Sequence, residues 1–277
     1  MIEIKHLTFG YKKDKVLFDD LSLTLPLGNI YGLLGKNGAG KTTLLKQIAG
    51  LLYPYQGECL VMGQPSRYRQ PEILQDIFII PEEFTMPSET ISAYTKLYAP
   101  FYPKFDKEVF SNYLNEFGLS ADRKLTTLSY GQKKKFLVGF GLATQARILL
   151  MDEPTNGLDI PSKSQFRRII ASSVNEDRCF IISTHQVRDL ESLIDPIIIL
   201  DQGKIVFHHT MEEISRKLGF VQLEKEDQPS GLIYSEMTFS GKNAIVLNSD
   251  HEETRVDLEL LFNGIISRAE SFTNIFN

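Results

Sequence analysis

The sequence has little cysteine, no long apolar run and no excess of positive charge. Its 277 residues include two cysteines, Cys59 and Cys179. Two distant cysteines do not indicate a disulfide framework, so we expect a reducing compartment. The uncharged stretch Phe136–Ala146 falls well short of the ~18 residues that a membrane span needs, so we expect no membrane crossing by this chain. The formal net charge of −5 gives no general reason to expect nucleic-acid or acidic-lipid binding.

Short apolar runs and turn signals alternate along the first 210 residues, as expected of an α/β protein. Strand, helix, strand alternation with short connections predicts a mostly parallel, doubly wound sheet. The residues Asp201-Gln202-Gly203 predict a hairpin turn between the last two strands. The predicted strands are Ile2–Phe9, Leu21–Leu25, Ile30–Leu34, Gly57–Gly63, Ile77–Ile80, Ile148–Met151, Phe180–Ile182, Ile197–Leu200 and Lys204–Phe207.

Residues 87–146 have a different character and predict a mainly helical insertion. Apolar residues follow helical spacing around Phe110 and Phe117. The aromatic run Leu97–Phe105 has two interpretations that the sequence leaves open: a contact with another protein, or the core of the insertion. The basic run Lys133–Lys135 is interpreted as a solvated helix start rather than a nucleic-acid patch.

Residues 211–277 predict a small α/β accessory region after a main domain of residues 1–210. Its regular apolar content argues against a disordered tail. It could regulate the main domain, aid dimerisation or brace the fold, and the sequence does not choose. The predicted elements are helices at Met211–Leu218 and Leu258–Ile266, with strands at Val221–Leu223, Ile233–Tyr234 and Ala244–Leu247.

The segment from Gly35 to Thr43 has the composition of a phosphate-binding loop (P-loop). A buried strand precedes it and a helix starting at Lys41 follows it. Glycines let backbone N–H groups wrap phosphates closely, and the helix N-terminus adds donors and partial positive charge. Lys41 should reach the β- and γ-phosphates, Thr42 should bind Mg²⁺, and Thr43 should add a phosphate contact. The ATP-binding residues predicted here are Gly35, Lys36, Asn37, Gly38, Ala39, Gly40, Lys41, Thr42 and Thr43.

An apolar strand at Ile148–Met151 ends in Asp152 and Glu153. Carboxylates at the carboxyl end of a buried parallel strand emerge at the sheet edge where ligands bind. Asp152 is the predicted Mg²⁺ ligand, and Glu153 the predicted general base that activates a water.

With the string LSYGQ at Leu128–Gln132, residues 1–210 resemble the nucleotide-binding subunit of an ATP-binding cassette (ABC) transporter. The resemblance implies a P-loop NTPase with an antiparallel β subdomain and a helical signature subdomain. It also implies that Ser129, Gly131 and Gln132 of one subunit contact ATP held by a second copy. Tyr130 stands where the family commonly has glycine.

The resemblance assigns further residues on either side of this string. It implies that His185 contacts the γ-phosphate and that Asp159, in Gly157-Leu158-Asp159, links the two sites of a dimer. Tyr11 is the expected adenine-stacking aromatic, with Phe9 and Phe18 as alternatives. The remaining histidines match no motif and are expected to be structural or at the surface; they are His6, His208, His209 and His251.

One position departs from the family pattern. The sequence Ile80-Pro81-Glu82 places glutamate where the family usually has the glutamine of its Q-loop. A carboxylate can bind Mg²⁺ but donates no hydrogen bond unless protonated. We therefore carry the metal-binding role over to Glu82, with Glu83 as a second candidate.

The leading hypothesis is an ATPase that powers a separate membrane permease through closure of an ATP-bound dimer. Details such as PTNGLD resemble the ATPases of bacterial ABC-2-type exporters. The expected location is the cytoplasm, at the inner face of the membrane. Alternatives are a soluble ABC-type ATPase acting on ribosomes or DNA, and a nucleotide switch without turnover. The sequence has no NKxD-type motif of the kind that reads guanine, so GTP is not favoured. It also lacks paired cassettes and a long coiled-coil insertion, which are features of the soluble class.

Overall fold

The computed structural model of the protein describes residues 1–12, 14–248 and 254–276. Its strands are β1 (Ile2–Phe9), β2 (Phe18–Leu25), β3 (Ile30–Leu34), β4 (Gln56–Val61), β5 (Gln64–Pro65), β6 (Ile77–Ile80), β7 (Ile148–Asp152), β8 (Cys179–Thr184), β9 (Ile197–Asp201), β10 (Lys204–His209), β11 (Leu218–Leu223), β12 (Leu232–Met237) and β13 (Lys242–Leu247). Its α-helices are α1 (Lys41–Ile48), α2 (Pro71–Leu74), α3 (Ile91–Tyr98), α4 (Lys107–Glu116), α5 (Tyr130–Ala143), α6 (Ile160–Ser173), α7 (Met211–Lys217), α8 (Leu258–Ser267) and α9 (Ala269–Phe276).

A six-stranded sheet in the order β10-β9-β3-β8-β7-β6 forms the centre of the fold. The strands from β9 to β6 are parallel, and β10 pairs antiparallel to β9 through the hairpin at Asp201–Gly203. Strands β3, β7 and β8 are buried at every position because both faces of the sheet are covered. The predicted mostly parallel α/β fold is confirmed.

A second, antiparallel sheet in the order β2-β1-β4-β5 lies beside the first. It shares an apolar core with one face of the central sheet, where Phe18 and Leu33 are fully buried. Strand β2 begins at Phe18, three residues earlier than expected from the apolar run at Leu21–Leu25. The polar pair Asp19-Asp20 hid the start of the strand, because both side chains are exposed at its outer edge.

Three capped helices form the helical insertion that the sequence predicts. Thr90, Asp106 and Ser129 accept hydrogen bonds from the first turns of α3, α4 and α5, respectively. Around Phe140, aromatic rings from all three helices and from β6 pack together.

The aromatic run Leu97–Phe105 divides between its two interpretations. Tyr102 and Phe105 pack against Phe140 inside the insertion. Leu97 and Phe101 are 57% and 68% exposed. The buried half of the run is therefore core, and the exposed half remains accessible to another molecule.

The interpretation of Lys133–Lys135 as a solvated helix start is wrong for its middle residue. Lys134 has 0% exposure, and its ammonium group donates to the main-chain carbonyl of Glu153. Lys133 and Lys135 are only partly buried. Three consecutive lysines give no local sign of which one is buried. Lys134 is buried because it lies on the inner face of α5, four residues after Tyr130.

The residues after Thr210 form a three-stranded antiparallel sheet in the order β11-β13-β12, covered by α8. Helix α9 follows α8 directly and packs Phe276 against Phe207 of β10. Helix α9 is not predicted from the sequence. The apolar residues of this sheet and of α8 belong to the same core cluster as the central sheet, so the region packs on the main domain.

Cys59 and Cys179 are free and buried, and burial raises the pKa of both thiols to about 12. Within the described ranges, no helix combines the length and the apolar character needed to cross a membrane. His6 pairs with Asp20 at the surface, His209 packs on Phe276, and His251 lies outside the described residues.

We expect Gly203→Ala to destabilise the fold far more than Gly63→Ala. Both glycines have a positive φ, +76° and +78°, so an added Cβ costs about 1–2 kcal/mol at either position. At Gly203 the Cβ would also lie 1.7 Å from the carbonyl oxygen of Leu17, whereas at Gly63 nothing lies within 4 Å. Relieving that clash should cost roughly a further 1–3 kcal/mol. The free energy of unfolding in denaturant checks this, and equal losses would contradict it.

Candidate functional site

The carboxyl ends of β3, β7 and β8 meet at one cleft of about 680 Å³. The P-loop connects β3 to α1 and lines this cleft. Gly38 and Gly40 have φ of +81° and +113°, conformations that glycine adopts without strain. Helix α1 has no side-chain cap and no acidic residue in its first turn. Its first N–H groups and its partial positive charge are therefore available to an anion.

Lys41 points back into the P-loop. Its Nζ donates to the carbonyl oxygens of Gly35 at 2.7 Å and Lys36 at 3.3 Å, and it lies 3.9 Å from Oε1 of Glu153. Burial lowers the pKa of Lys41, and the negative charges of Glu153, Asp152 and Glu82 oppose that shift. This ammonium is thus a buried cation at the end of the loop, surrounded by oxygen atoms that a phosphate can replace.

Asp152 and Thr42 form a pair of oxygen ligands beside the P-loop. The Thr42 hydroxyl donates to Oδ2 of Asp152 at 2.6 Å, and the Ser183 hydroxyl donates to Oδ1. Asp152 is opposite Ser183 in the β7–β8 register, so the pairing of the strands sets this contact. A hydroxyl and a carboxylate held together in this way suit a hard divalent cation.

Glu153 is the most constrained residue of the cleft. Its φ of +46° is rare for a residue that carries a Cβ. Its main-chain N–H donates to the Ser183 carbonyl at 3.1 Å, and its buried carboxylate accepts from Thr184 at 3.2 Å. The His185 ring nitrogen Nδ1 lies 2.7 Å from Oε1 of the same carboxylate.

The contact with Glu153 sets the tautomer of His185 when the Glu153 carboxylate is ionised. An ionised carboxylate only accepts hydrogen bonds, so Nδ1 must carry the proton. The other ring nitrogen, Nε2, is then an acceptor in the neutral ring and a donor only in the imidazolium form. A contact from Nε2 to a phosphate oxygen therefore requires the doubly protonated ring.

The aromatic residue at the other end of the cleft is Tyr11. Its ring is 64% exposed and lies edge-on to Phe9, with ring centroids 5.2 Å apart. Its hydroxyl is 2.9 Å from the Thr43 hydroxyl. The two alternatives, Phe9 and Phe18, are buried. Of the three, only Tyr11 presents a ring face on which a base could stack.

Glu82 also lines the cleft, and its negative charge acts on Lys41. Its Oε1 accepts from the Asn156 side chain at 3.1 Å, and its main-chain carbonyl accepts from the Tyr130 hydroxyl at 2.6 Å. Glu83, the second candidate, is exposed and does not line the cleft. The structure therefore brings Glu82, and not Glu83, together with Asp152.

The residues of the LSYGQ string do not line this cleft. Ser129 caps α5 in a reciprocal arrangement: its hydroxyl accepts from the Gln132 main chain, and the Gln132 side chain accepts from the Ser129 main chain. Ser129 is exposed and Gly131 half-buried. The structure thus separates Ser129, Gly131 and Gln132 from the P-loop of the same chain.

Asp159 has a local role that the sequence did not reveal. It caps α6, accepting from the Ser162 main chain at 3.0 Å, and hydrogen bonding to Ser162 lowers the pKa of its carboxyl group. Three further residues contact the site although the sequence does not indicate them: Ser183, Asn156 and Lys134. Ser183 could have been found from the parallel register of the two strands, whereas the other two depend on packing between distant segments.

Comparison with known proteins identifies the family. The family model described as "ABC transporter" matches residues 18–156, half of the chain. The chain therefore belongs to the ABC transporter family and is an ATP-hydrolysing nucleotide-binding subunit.

Two curated relatives illustrate the range of the family. The chain is 33% identical over 224 residues to the nickel import system ATP-binding protein NikE of Staphylococcus aureus (strain MRSA252), covering 77% of this chain and 92% of that protein. It is 28% identical over 225 residues to the ABC transporter ATP-binding protein YtrB of Bacillus subtilis (strain 168), covering 80% and 76%.

Solved structures agree with the fold. The ATP-binding subunit of an ABC transporter superposes with a TM-score of 0.70 at 24% identity, over 78% of this chain and 92% of that one. The dimeric ATP-binding cassette MJ0796 in a post-hydrolysis state, bound to ADP and Pi, gives a TM-score of 0.67 at 21% identity, over 76% and 99%.

We expect Lys41→Ala to weaken ATP binding by roughly 10–100-fold, because it removes a charge-assisted contact to the phosphates. Lys46→Ala is the matched control. It removes the same charge from α1, the helix that Lys41 begins, but Lys46 is in the last turn of that helix and does not line the cleft. Equilibrium binding of ATP to each purified variant checks the prediction. Equal losses for the two variants would show that the effect is general charge and not a site contact.

Proposed function

We propose that this chain is the motor of an ABC exporter: it hydrolyses ATP as part of a dimer and drives a separate integral membrane permease. The observation that carries the proposal is the convergence of Lys41, Asp152, Glu153 and His185 on one cleft. Their positions combine a phosphate-binding loop, a pair of cation ligands and a buried carboxylate with a hydrogen-bonded histidine. These are the components that phosphoryl transfer to water requires.

Each residue has a definite task in this reaction. The P-loop amides and Lys41 bind the β- and γ-phosphates, as Lys41 leaves the carbonyls of Gly35 and Lys36. Thr42 and Asp152 would hold Mg²⁺, and Glu82, which lines the same cleft, would add a further oxygen. When bound, Mg²⁺ neutralises charge on the phosphate oxygens. Glu153 accepts a proton from the attacking water, and His185 orients its carboxylate.

A second copy of the chain completes the site. Ser129 and Gly131 are accessible but lie outside the cleft that contains the P-loop of their own chain. In a head-to-tail dimer, the start of α5 from each copy closes over ATP in the other, and Asp159 lies between the two sites. Dimer closure on ATP and reopening after hydrolysis then supply the mechanical step.

The permease contact is proposed for the exposed face of the helical region. Phe101 and Leu97 are large, apolar and exposed there, and an apolar groove of about 700 Å³ runs beside them along α3 and α4. A cytoplasmic segment of a membrane protein with apolar side chains would cover this surface. This contact would hold the ATPase on the inner face of the membrane.

The direction of transport rests on likeness alone. PTNGLD and the form of the C-terminal region resemble ABC-2-type exporters, whereas one relative is named for nickel import. Export is therefore our proposal, and ATP-driven uptake of substrate into inside-out vesicles would support it.

We expect Glu153→Gln to keep ATP binding and to lower turnover by about 10²-fold or more, because the proton acceptor is lost while the shape is retained. ATP should then hold the variant in the closed dimer. Steady-state phosphate release and size-exclusion chromatography with ATP measure the two effects. Hydrolysis at the parent rate would exclude Glu153 as the general base.

We expect capture of this chain from native membranes in mild detergent to recover a polytopic membrane protein in stoichiometric amount. Phe101→Glu should lose that partner while the purified chain keeps its ATPase activity, because the ring is exposed and does not line the nucleotide cleft. Mass spectrometry identifies the partner. Recovery of ribosomes or DNA-bound proteins instead would favour the soluble ATPase.

A further inference from the structure

One face of α5 reaches into the catalytic segments of its own chain. Tyr130 and Lys134 are four residues apart and lie side by side on that face. The ammonium of Lys134 is 5.2 Å from the centroid of the Tyr130 ring. Neither residue lines the nucleotide cleft, and neither has a task in the proposed reaction.

Tyr130 connects the helix to two loops of the site. Its hydroxyl donates to the main-chain carbonyl of Glu82 at 2.6 Å, and its ring stacks on Phe84 with centroids 5.5 Å apart. On the other side the ring packs on Gly157, where an added Cβ would approach to 2.7 Å. Asn156, next to that glycine, donates to the Glu82 carboxylate. The main chain and the side chain of Glu82 are therefore held by different segments.

Lys134 makes the corresponding contact with Glu153. Its ammonium is fully buried and donates to the Glu153 carbonyl, just beyond the left-handed φ of that residue. A strained backbone of this kind persists when the surrounding structure holds it. An ammonium withdrawn from water is costly, and burial accordingly lowers the pKa of Lys134 to about 8. An apolar side chain of similar length would fill the space without that cost.

We propose that Tyr130 and Lys134 are positioning residues for ATP hydrolysis, which fix the main chain of Glu82 and Glu153 relative to the start of α5. This inference rests on the proposed role of Glu153 as general base. Its consequence is that the orientation of the Glu153 carboxylate toward the attacking water depends on the placement of α5. The same helix start carries Ser129 and Gly131, so one rigid element serves both its own site and the site of the second copy.

Tyr130→Phe and Lys134→Met test the proposal with small changes. The first removes one hydroxyl and keeps the stacked ring, and the second removes the ammonium and keeps the chain length. We expect each to lower kcat by about tenfold and to change ATP affinity by less than about twofold, as for an interaction that matters in the transition state. Lys134→Met should melt at the parent temperature or above it, because the buried charge is gone.

Tyr113→Phe and Lys133→Met are the matched controls. Tyr113 is on α4, and its hydroxyl is hydrogen-bonded to the Ser173 hydroxyl at 3.0 Å, away from the cleft. Lys133 is the neighbouring lysine on a more exposed face of α5. Both should keep the parent kcat. The proposal is overturned if the test variants also keep the parent kcat, or if they lose ATP affinity or folded protein in proportion to activity.

A double mutant separates this proposal from the role of Glu153. If Lys134 acts through Glu153, Lys134→Met should reduce the residual rate of Glu153→Gln by less than about twofold. A full tenfold loss in that background would overturn the proposal. If Glu153→Gln itself keeps the parent rate, the general-base assignment fails, whatever the Lys134 variant does. If Glu153→Gln loses its activity and Lys134→Met keeps the parent kcat, only the positioning role fails.

Discussion

The parallel pairing of β3, β8 and β7 is the constraint on which the whole site depends. Parallel strands end at the same edge, so three segments that are distant in the sequence deliver their polar residues to one place. The register is specific as well, because Asp152 lies opposite Ser183 and receives its hydroxyl. A shift by one residue would turn every side chain of a fully buried strand to the other face of the sheet. The apolar runs that bury these strands thereby also align the polar groups of the cleft.

The cleft concentrates charge that the fold must compensate. Lys41 and Lys134 are both buried and approach Glu153 from different directions, one toward its carboxylate and one at its carbonyl. Ionised groups withdrawn from water are costly unless each has a partner. At this edge of the sheet the partners are main-chain carbonyls, the hydroxyls of Thr42, Ser183 and Thr184, and a histidine. The arrangement suits a polyanionic ligand, whose phosphates can replace the loop carbonyls as partners of Lys41.

The sequence predicts the segments of the site better than the contacts between them. The P-loop, the acidic end of β7 and the strand before His185 carry their signals locally, as glycine spacing, apolar runs and turn residues. Lys134 looks like a solvated lysine within a basic run, and only the packing of α5 on the Glu153 segment makes it buried. The Asn156 contact with Glu82 likewise joins residues 74 positions apart. The aromatic run divides for the same reason, because burial is decided by the neighbours of each ring in the fold.

The capping arrangement of Ser129 bears on how the second copy would complete the site. The Ser129 hydroxyl oxygen accepts a hydrogen bond from the Gln132 main chain, and the Ser129 main chain donates to the Gln132 side chain. Neither of these bonds, within the described residues, uses the hydroxyl proton, which is therefore available to a ligand. Ser129 is exposed, so this donor is accessible at the start of a long helix, where the partial positive charge favours an anion. The P-loop offers a similar helix start in its own cleft. Two helix N-termini, one from each copy, would then face the same phosphates, and neither chain could supply both alone.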